Sequence, residues 1–378
     1  MFSDIRDGAN LQATADSGKS WILIGKLNDG VNWFNEYTIN AEPGDQSIGW
    51  SNKKDAGWLE ARHSLDILKG KTKVQFRIAY GSTGTAIGND GFAFDNFWIG
   101  ERNRISLIEH FTNSSDEETP HADSVLNDFI SGNELNVVDL QYHTSNPPND
   151  PFYEHNPVIP TAREFYYGIP GVPYSVLNGG SNPLNRFDYD NKPFNPNTPL
   201  VESLADSKFS IQTISEINNN VLTTQVQVFP YSAVPLTELS VHIAVVERLI
   251  TGVTGQNGET VFKNVVKTML PGAAGTTIYK AWDPHESVYV DGAWTLQHVY
   301  NRDELRLVAF IQNESTKEIY QAVIDTVSLS TGIDNPFPES LAEKSFILYP
   351  NPAQQLTYIK FNRETEKEVV IELYNNLG

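Results

Sequence analysis

The densest grouping of side chains able to do chemistry lies between residues 109 and 155 of the sequence. Glu109-His110-Phe111-Thr112 is followed by Asp116-Glu117-Glu118-Thr119-Pro120, and His121, His143 and His155 come after it. Four imidazoles with Asp116 or Glu117 could hold a zinc-like ion if the chain folded back on itself. Their spacing forms no ligand motif, however, and scattered histidines are more often hydrogen-bonded or exposed. A second grouping, Asn89-Asp90-Gly91 with Asp95-Asn96, supplies clustered oxygens of the kind calcium accepts, with Asn89, Asp90 and Asp95 as candidate ligands. Asn-Asp-Gly is equally a hairpin-turn signal that needs no ion, and Asn28-Asp29-Gly30 reads the same way. Trp21, Trp33, Trp50 and Trp58 crowd the first sixty residues. Such rings can stack on sugars, although strand-interior aromatics more often build core. No Gly-x-Ser-x-Gly elbow, His-Glu-x-x-His helix or phosphate-cradling glycine loop occurs. Zero cysteines remove disulfides, thiolate metal sites and every cysteine-based redox cycle. The expectation is therefore a chain without a catalytic residue.

Bulk properties bound what must position these groups. A length of 378 residues exceeds what one core organises and predicts two to four domains. No apolar stretch approaches the roughly 18 residues of a membrane span, so no transmembrane segment is expected. A net charge of −20 repels phosphate backbones and anionic headgroups, which argues against nucleic acid as a partner. Residues Met1 to Gly8 carry no apolar core of a signal peptide and read as the inside of a domain. That suggests a piece of a longer protein.

Periodicity divides the chain. From Trp21 to Arg104 short strands alternate with Gly, Asn and Asp turns, as in a β-sandwich, with Val74–Tyr80 and Phe92–Ile99 as its clearest strands. After Arg104 the pattern becomes strand, helix, strand, helix. Ile105–Phe111 is a strand, Ala122, Val125, Leu126, Phe129 and Ile130 form a helical stripe, and Val137–Tyr142 is a largely apolar strand. Ser115 and Glu118 fit a capping box for that helix, with Asp116 and Glu117 at its positive end. A second helix includes Thr161–Tyr167 and stops at Gly168, and Val172–Leu177 enters a hairpin closed by Asn178-Gly179. Residues 181–200 are Asn- and Pro-rich and predict an extended connection. Strands then return over Leu222–Phe229, Val241–Val246, Val288–Val290, Leu305–Ile311 and Tyr320–Ile324, and both faces of Leu305–Ile311 are apolar, as a central strand requires.

Three resemblances follow from particular residues. Ser17–Trp21, Gly57-Trp58 and Gly91–Gly100 make residues 1–104 similar to MAM-like jelly-roll β-sandwiches, which often hold a structural calcium ion. Glu109–Thr112, Asp116–Pro120, Gln141-Tyr142-His143 and Tyr166–Pro173 make residues 105–200 similar to the thioredoxin-like domain of an outer-membrane protein family. Members read Glu-x-Phe-Thr followed by Cys-x-x-Cys-Pro. Asp116 and Thr119 stand where the two cysteines would be, Pro120 keeps its place, and Pro173 falls at the cis-proline position. The same family implies a β-sandwich over residues 201–330, with Asn264–Pro271 as its most recognisable segment. Finally, Phe346–Ala353 with Tyr349, Pro350, Asn351 and Pro352, then Tyr358–Phe361, and Val369–Gly378 ending in Leu377-Gly378, resemble the opening half of an Ig-like type A sorting domain of the type IX secretion system, over residues 331–378.

Taken together these imply a multidomain, mainly β protein: jelly roll, thioredoxin-like α/β domain, second β-sandwich and partial sorting domain. They imply cargo of the type IX translocon, secreted or displayed on the outer-membrane surface, that binds an extracellular glycan or protein without catalysis. Accessory modules of a larger secreted peptidase or glycosidase, or a component associated with the translocon itself, are the alternative readings.

Overall fold

The computed structural model describes residues 7–51, 57–83, 91–284, 286–329, 346–349 and 358–361. The chain forms two compact units: Met1–Arg104 with Asn195–Asp206, and Ile105–Phe194 with Ser207–Gly378.

In the first unit β1 (Gly8–Thr14) pairs antiparallel with β2 (Ile22–Leu23) and β3 (Gln75–Gly81), giving the order β2-β1-β3. Leu11, Ala13, Ile24, Trp33, Phe34 and Leu68 form its core, with Trp50, Phe76 and Ile78 packed against them. The apolar alternation predicted for Val74–Tyr80 is thus a strand. The one predicted over Phe92–Ile99 is not: residues 91–100 are exposed and pair with no strand. Asn96 sits at φ 52°, and its N–H is taken by its neighbour's carboxylate, Asp95 Oδ1, at 2.7 Å. That left-handed residue breaks the alternation. Phe92 still stacks on Trp50 at 6.1 Å, and Phe97 meets Phe76 in a tilted pair at 5.7 Å. Trp58 and Trp98 lie outside this core, at 74% and 50% exposure.

In the second unit β4 (Ser106–Thr112), α1 (Thr119–Ser131) and β5 (Val137–His143) make the expected parallel strand pair with its crossover helix. Two further helices follow, α2 (Pro151–His155) and α3 (Val158–Tyr167), the last closed by Gly168 at φ 64°. The Val172–Pro173 peptide is cis, as the thioredoxin resemblance implies. β6 (Tyr174–Leu177) pairs antiparallel with β4 and with β7 (Arg186–Phe187). Asn178 and Gly179 are both left-handed, but the partner strand starts only at Arg186. The turn is longer than two residues because Asn178 Oδ1 accepts from Leu107 N at 2.9 Å, tying the chain to β4.

The remaining strands are β8 (Phe209–Asn218), β9 (Val221–Pro230), β10 (Val234–Thr251), β11 (Val261–Leu270), β12 (Thr276–Trp282), β13 (Val288–Thr295), β14 (Leu305–Asn313), β15 (Ile319–Thr326) and β16 (Ser328–Leu329). One sheet runs β15-β14-β10-β11-β5-β4-β6-β7, with β12 also on β10, and a second runs β13-β9-β8-β16. The segments 105–200 and 201–330, separate modules by sequence, share the first sheet through the parallel contact Val265↔Gln141. Asn264 Nδ2 donates to Asp139 Oδ1 across the same seam, at 2.5 Å. Period-two alternation lets β10 and β14 serve two cores. Leu239, Val241, Ile243, Val245, Leu305, Leu307, Ala309 and Ile311 face the second sheet's core. Ala244, Val246, Val308 and Phe310 join Phe111, Tyr142, Ile159 and Tyr167 on the other face. A further hairpin joins β17 (Phe346–Tyr349) to β18 (Tyr358–Phe361). Pro350, Asn351, Pro352, Leu377 and Gly378 lie outside the described residues.

Candidate functional site

The loop from Asn113 to Pro120 carries the two positions where cysteines would stand, and its residues hold structure. Asp116 Oδ1 accepts from Glu118 N at 2.9 Å and Thr119 N at 3.1 Å. Thr119, fully buried, donates its hydroxyl to Asn113 O at 2.7 Å. The capping expected of Ser115 and Glu118 therefore falls to Asp116. Ser115 is turned away, its hydroxyl donating to Asn149 O at 3.2 Å, and Glu118 makes no side-chain cap. An Asp at this offset meets the first free N–H groups of α1, and Pro120 follows in the first turn, where no donor is needed.

What covers this loop comes from the sandwich part of the unit. The tip between β10 and β11 brings Gly255 so close that a Cβ there would lie 2.6 Å from Ser114 O. Asn257 N donates to Ser114 O at 3.1 Å, and Asn257 Nδ2 donates to Asp116 O at 3.0 Å and Thr119 Oγ1 at 3.2 Å. The tip thus covers the backbone of this corner and Thr119, while Asp116 stays half-buried and Glu117 and Glu118 are exposed. Asn257-Gly258 between two apolar runs is a hairpin signal. Nothing in the sequence says where that hairpin lands.

Beneath the loop, β4 presents alternate residues to its two faces. On one side His110 Nε2 meets Asp123 Oδ1 at 2.7 Å, His110 Nδ1 meets Ser175 Oγ at 2.8 Å, and Ser175 Oγ meets Tyr189 OH at 2.8 Å. Thr112 donates to the same carboxylate at 2.9 Å. The composition is that of a serine–histidine–carboxylate relay, yet Ser175 and His110 are fully buried, so no substrate reaches the hydroxyl. On the other side Glu109 receives Arg163 through Nε at 2.9 Å and Nη2 at 2.7 Å, and Tyr142 and Tyr167 donate their hydroxyls to it. His143 is taken by Asp150, Nδ1 to Oδ2 at 2.7 Å. Burial pushes the Asp150 carboxyl up, but the His143 charge and the N–H groups of Ser114 and Tyr153 outweigh it and hold it at about 2. His121 is exposed on α1, and His155 stacks on His298. The four imidazoles therefore do not converge, and among the described residues no group of three histidines or carboxylates is placed to hold a metal. Asn89 and Asp90 lie outside the described residues, and Asp95 is exposed.

One group in the tip between β10 and β11 titrates near neutrality. Burial, then the Asp123 charge, pushes the Glu259 carboxyl up to about 7. The folded chain then holds this proton more tightly than the unfolded chain does. Below pH ~4 both states keep it, between ~4 and ~7 stability falls, and above ~7 the penalty is constant. Glu259→Gln removes the effect while keeping the acceptor for Asn257 Nδ2, now 2.8 Å away. Denaturant melts from pH 5 to 8 should show the variant gaining about 1 kcal/mol on the parent, a figure reduced for solvent screening. A pH-independent gap would contradict the assignment.

No protein-family model and no curated protein matches the chain. Among solved structures its fold is similar to that of HBP35 of Porphyromonas gingivalis, at TM-score 0.50 and 14% identity, covering 71% of this chain and 88% of that one. Protein AGR_C_4864 from Agrobacterium tumefaciens is matched at TM-score 0.40 and 16% identity, over 62% of this chain and all, 100%, of that one. A domain of the outer membrane lipoprotein Omp28 from Porphyromonas gingivalis is matched at TM-score 0.25 and 14% identity, over 33% and 92%. At such identities the likeness concerns fold alone.

Proposed function

We propose that the chain is a non-catalytic binding protein of the bacterial surface, carried out by the type IX machinery. One observation carries the loss of thiol chemistry: the two would-be cysteine positions hold a capping carboxylate and a buried hydroxyl, under a hairpin tip bonded across them. A scaffold whose would-be reactive corner has no thiol and is bridged by that tip is left with recognition. The export reading rests on Tyr349–Pro352 and Leu377-Gly378, and on the resemblance of the whole tail to sorting domains. No described helix is long and apolar enough to cross a membrane.

Trp58 and Trp98 give this reading a contact surface, since exposed indoles stack on sugar rings and anchor protein partners. The purified chain is expected to retain a glycan or matrix protein on arrays of each, and Trp58→Ala should weaken retention about tenfold, or ~1.4 kcal/mol. Silence on both arrays would remove the binding reading. Protease treatment of intact cells tests display separately: the full-length protein should be cleaved, and protected when the type IX translocon is inactivated.

A further inference from the structure

Between the end of α2, strand β11 and the chain after β13 lies a cavity of about 110 Å³ that the covered corner does not use. In a chain of net charge −20 its wall is anomalous: Lys267, His155, His298, Asn156, Gln297 and Thr268 supply donors, and no carboxylate lines it. Lys267 is buried, with Glu247 Oε2 at 3.4 Å as its counter-ion. That carboxylate is already shared, accepting from Tyr300 N at 3.2 Å and Asn301 N at 2.5 Å. His155 Nδ1 and Asn156 Nδ2 are buried without a partner. A buried polar atom left unpaired keeps its desolvation cost, which a bound partner would relieve: Asn156 Nδ2 can only donate, and His155 Nδ1 donates in the tautomer protonated there. The imidazoles of His155 and His298 stack at 4.1 Å, 10° from parallel. Rings stacked in this way cannot both point a lone pair at one ion, because an imidazole coordinates in its own plane. They do provide a flat surface, as do Phe152 and Trp294.

We propose that this cavity binds a small planar organic carboxylate, its charge among the Lys267, His155 and Asn156 donors and its flat body against Trp294 and the imidazole stack. The volume is well below the ~300–1,000 Å³ of drug-sized sites, which selects a ligand of benzoate size over an oligosaccharide. This site is independent of the surface-binding reading.

The test is titration of the full chain with sodium benzoate, benzamide and sodium phosphate in parallel, followed by calorimetry and by the imidazole resonances in NMR. Benzoate is expected to saturate with a Kd at or below ~1 mM. It should move the His155 and His298 resonances while leaving those of His110 and His143 in place. Benzamide should bind at least about tenfold more weakly for lack of charge, and phosphate likewise for lack of a flat body. His298→Asn keeps a residue that tolerates φ 53° and removes half of the stack. It should weaken benzoate about tenfold with the melting temperature unchanged. Gln297→Ala is a second variant for the same measurement. Benzoate without saturation, benzamide or phosphate equal to benzoate, or full affinity in both variants would overturn the proposal.

Discussion

Arg163→Ala is expected to lower the unfolding free energy of the second unit by about 3–5 kcal/mol, the cost of leaving a buried charge unpaired. Glu109 is fully buried and Arg163 is 2% exposed. The guanidinium touches both carboxylate oxygens, at 2.7 and 2.9 Å, and donates to Tyr167 OH at 2.9 Å. Gln312 on β14 donates to the same phenol at 2.9 Å, so β4, α3 and β14 meet at this one cluster. Without Arg163 the carboxylate keeps only phenolic donors, which cannot offset its desolvation. The double variant Glu109→Leu/Arg163→Met removes both charges and should recover most of the loss, to within ~1–2 kcal/mol of the parent. By contrast Arg62→Ala, which breaks an ion pair to Asp206 at 2.5 Å with that carboxylate 62% exposed, should cost under ~1 kcal/mol. Urea denaturation separates these cases. A cost below ~1 kcal/mol for Arg163→Ala would mean that water reaches Glu109, against the packing described.

The features legible in the sequence are those set by local periodicity. The both-sided apolar pattern of Leu305–Ile311 predicts a central strand, and β14 does lie between β10 and β15 with a core on each face. The stripe from Ala122 to Ile130 and the stop at Gly168 fix two helices because side-chain spacing and left-handed permissiveness act within a few residues. Long-range placement is different. Nothing near Val265 or Gln141 specifies their pairing, so one sheet reads as two modules. The capping box at Ser115 and Glu118 satisfies the local rule, yet Asp116 takes the N–H groups because tertiary contacts draw Ser115 toward Asn149. His110 of β4 looks like a candidate ligand in sequence, beside Glu109 of the Glu-x-Phe-Thr resemblance. In the fold His110 and Glu109 are consumed by partners on α1 and α3.

The tip between β10 and β11 over the Asn113–Pro120 segment leads to the second large effect. Placing cysteines through Asp116→Cys/Thr119→Cys should not by itself confer thiol–disulfide exchange. The substitutions remove a cap worth about 1 kcal/mol, but the tip between β10 and β11 keeps its bonds to backbone oxygens of Ser114 and Asp116. Exchange needs in-line approach of a partner sulfur to an accessible thiolate; position 119 is fully buried beneath Asn257, and position 116 is half-buried with its carbonyl held by the same side chain. The double variant should therefore be silent in insulin reduction, and its thiols should react slowly with a disulfide reagent, at a rate set by opening of the tip. Replacing residues 254–258 by a two-residue turn withdraws Gly255 and Asn257, and should raise that rate at least about tenfold, the effect of removing ~1.4 kcal/mol from the opening step. Rapid insulin reduction with the tip intact, or unchanged thiol reactivity after shortening it, would mean that the tip does not guard the corner. If the tip does guard it, the absence of cysteine at positions 116 and 119 and the covering of the corner are two separable features. Only the second is written in residues far along the chain from the site itself.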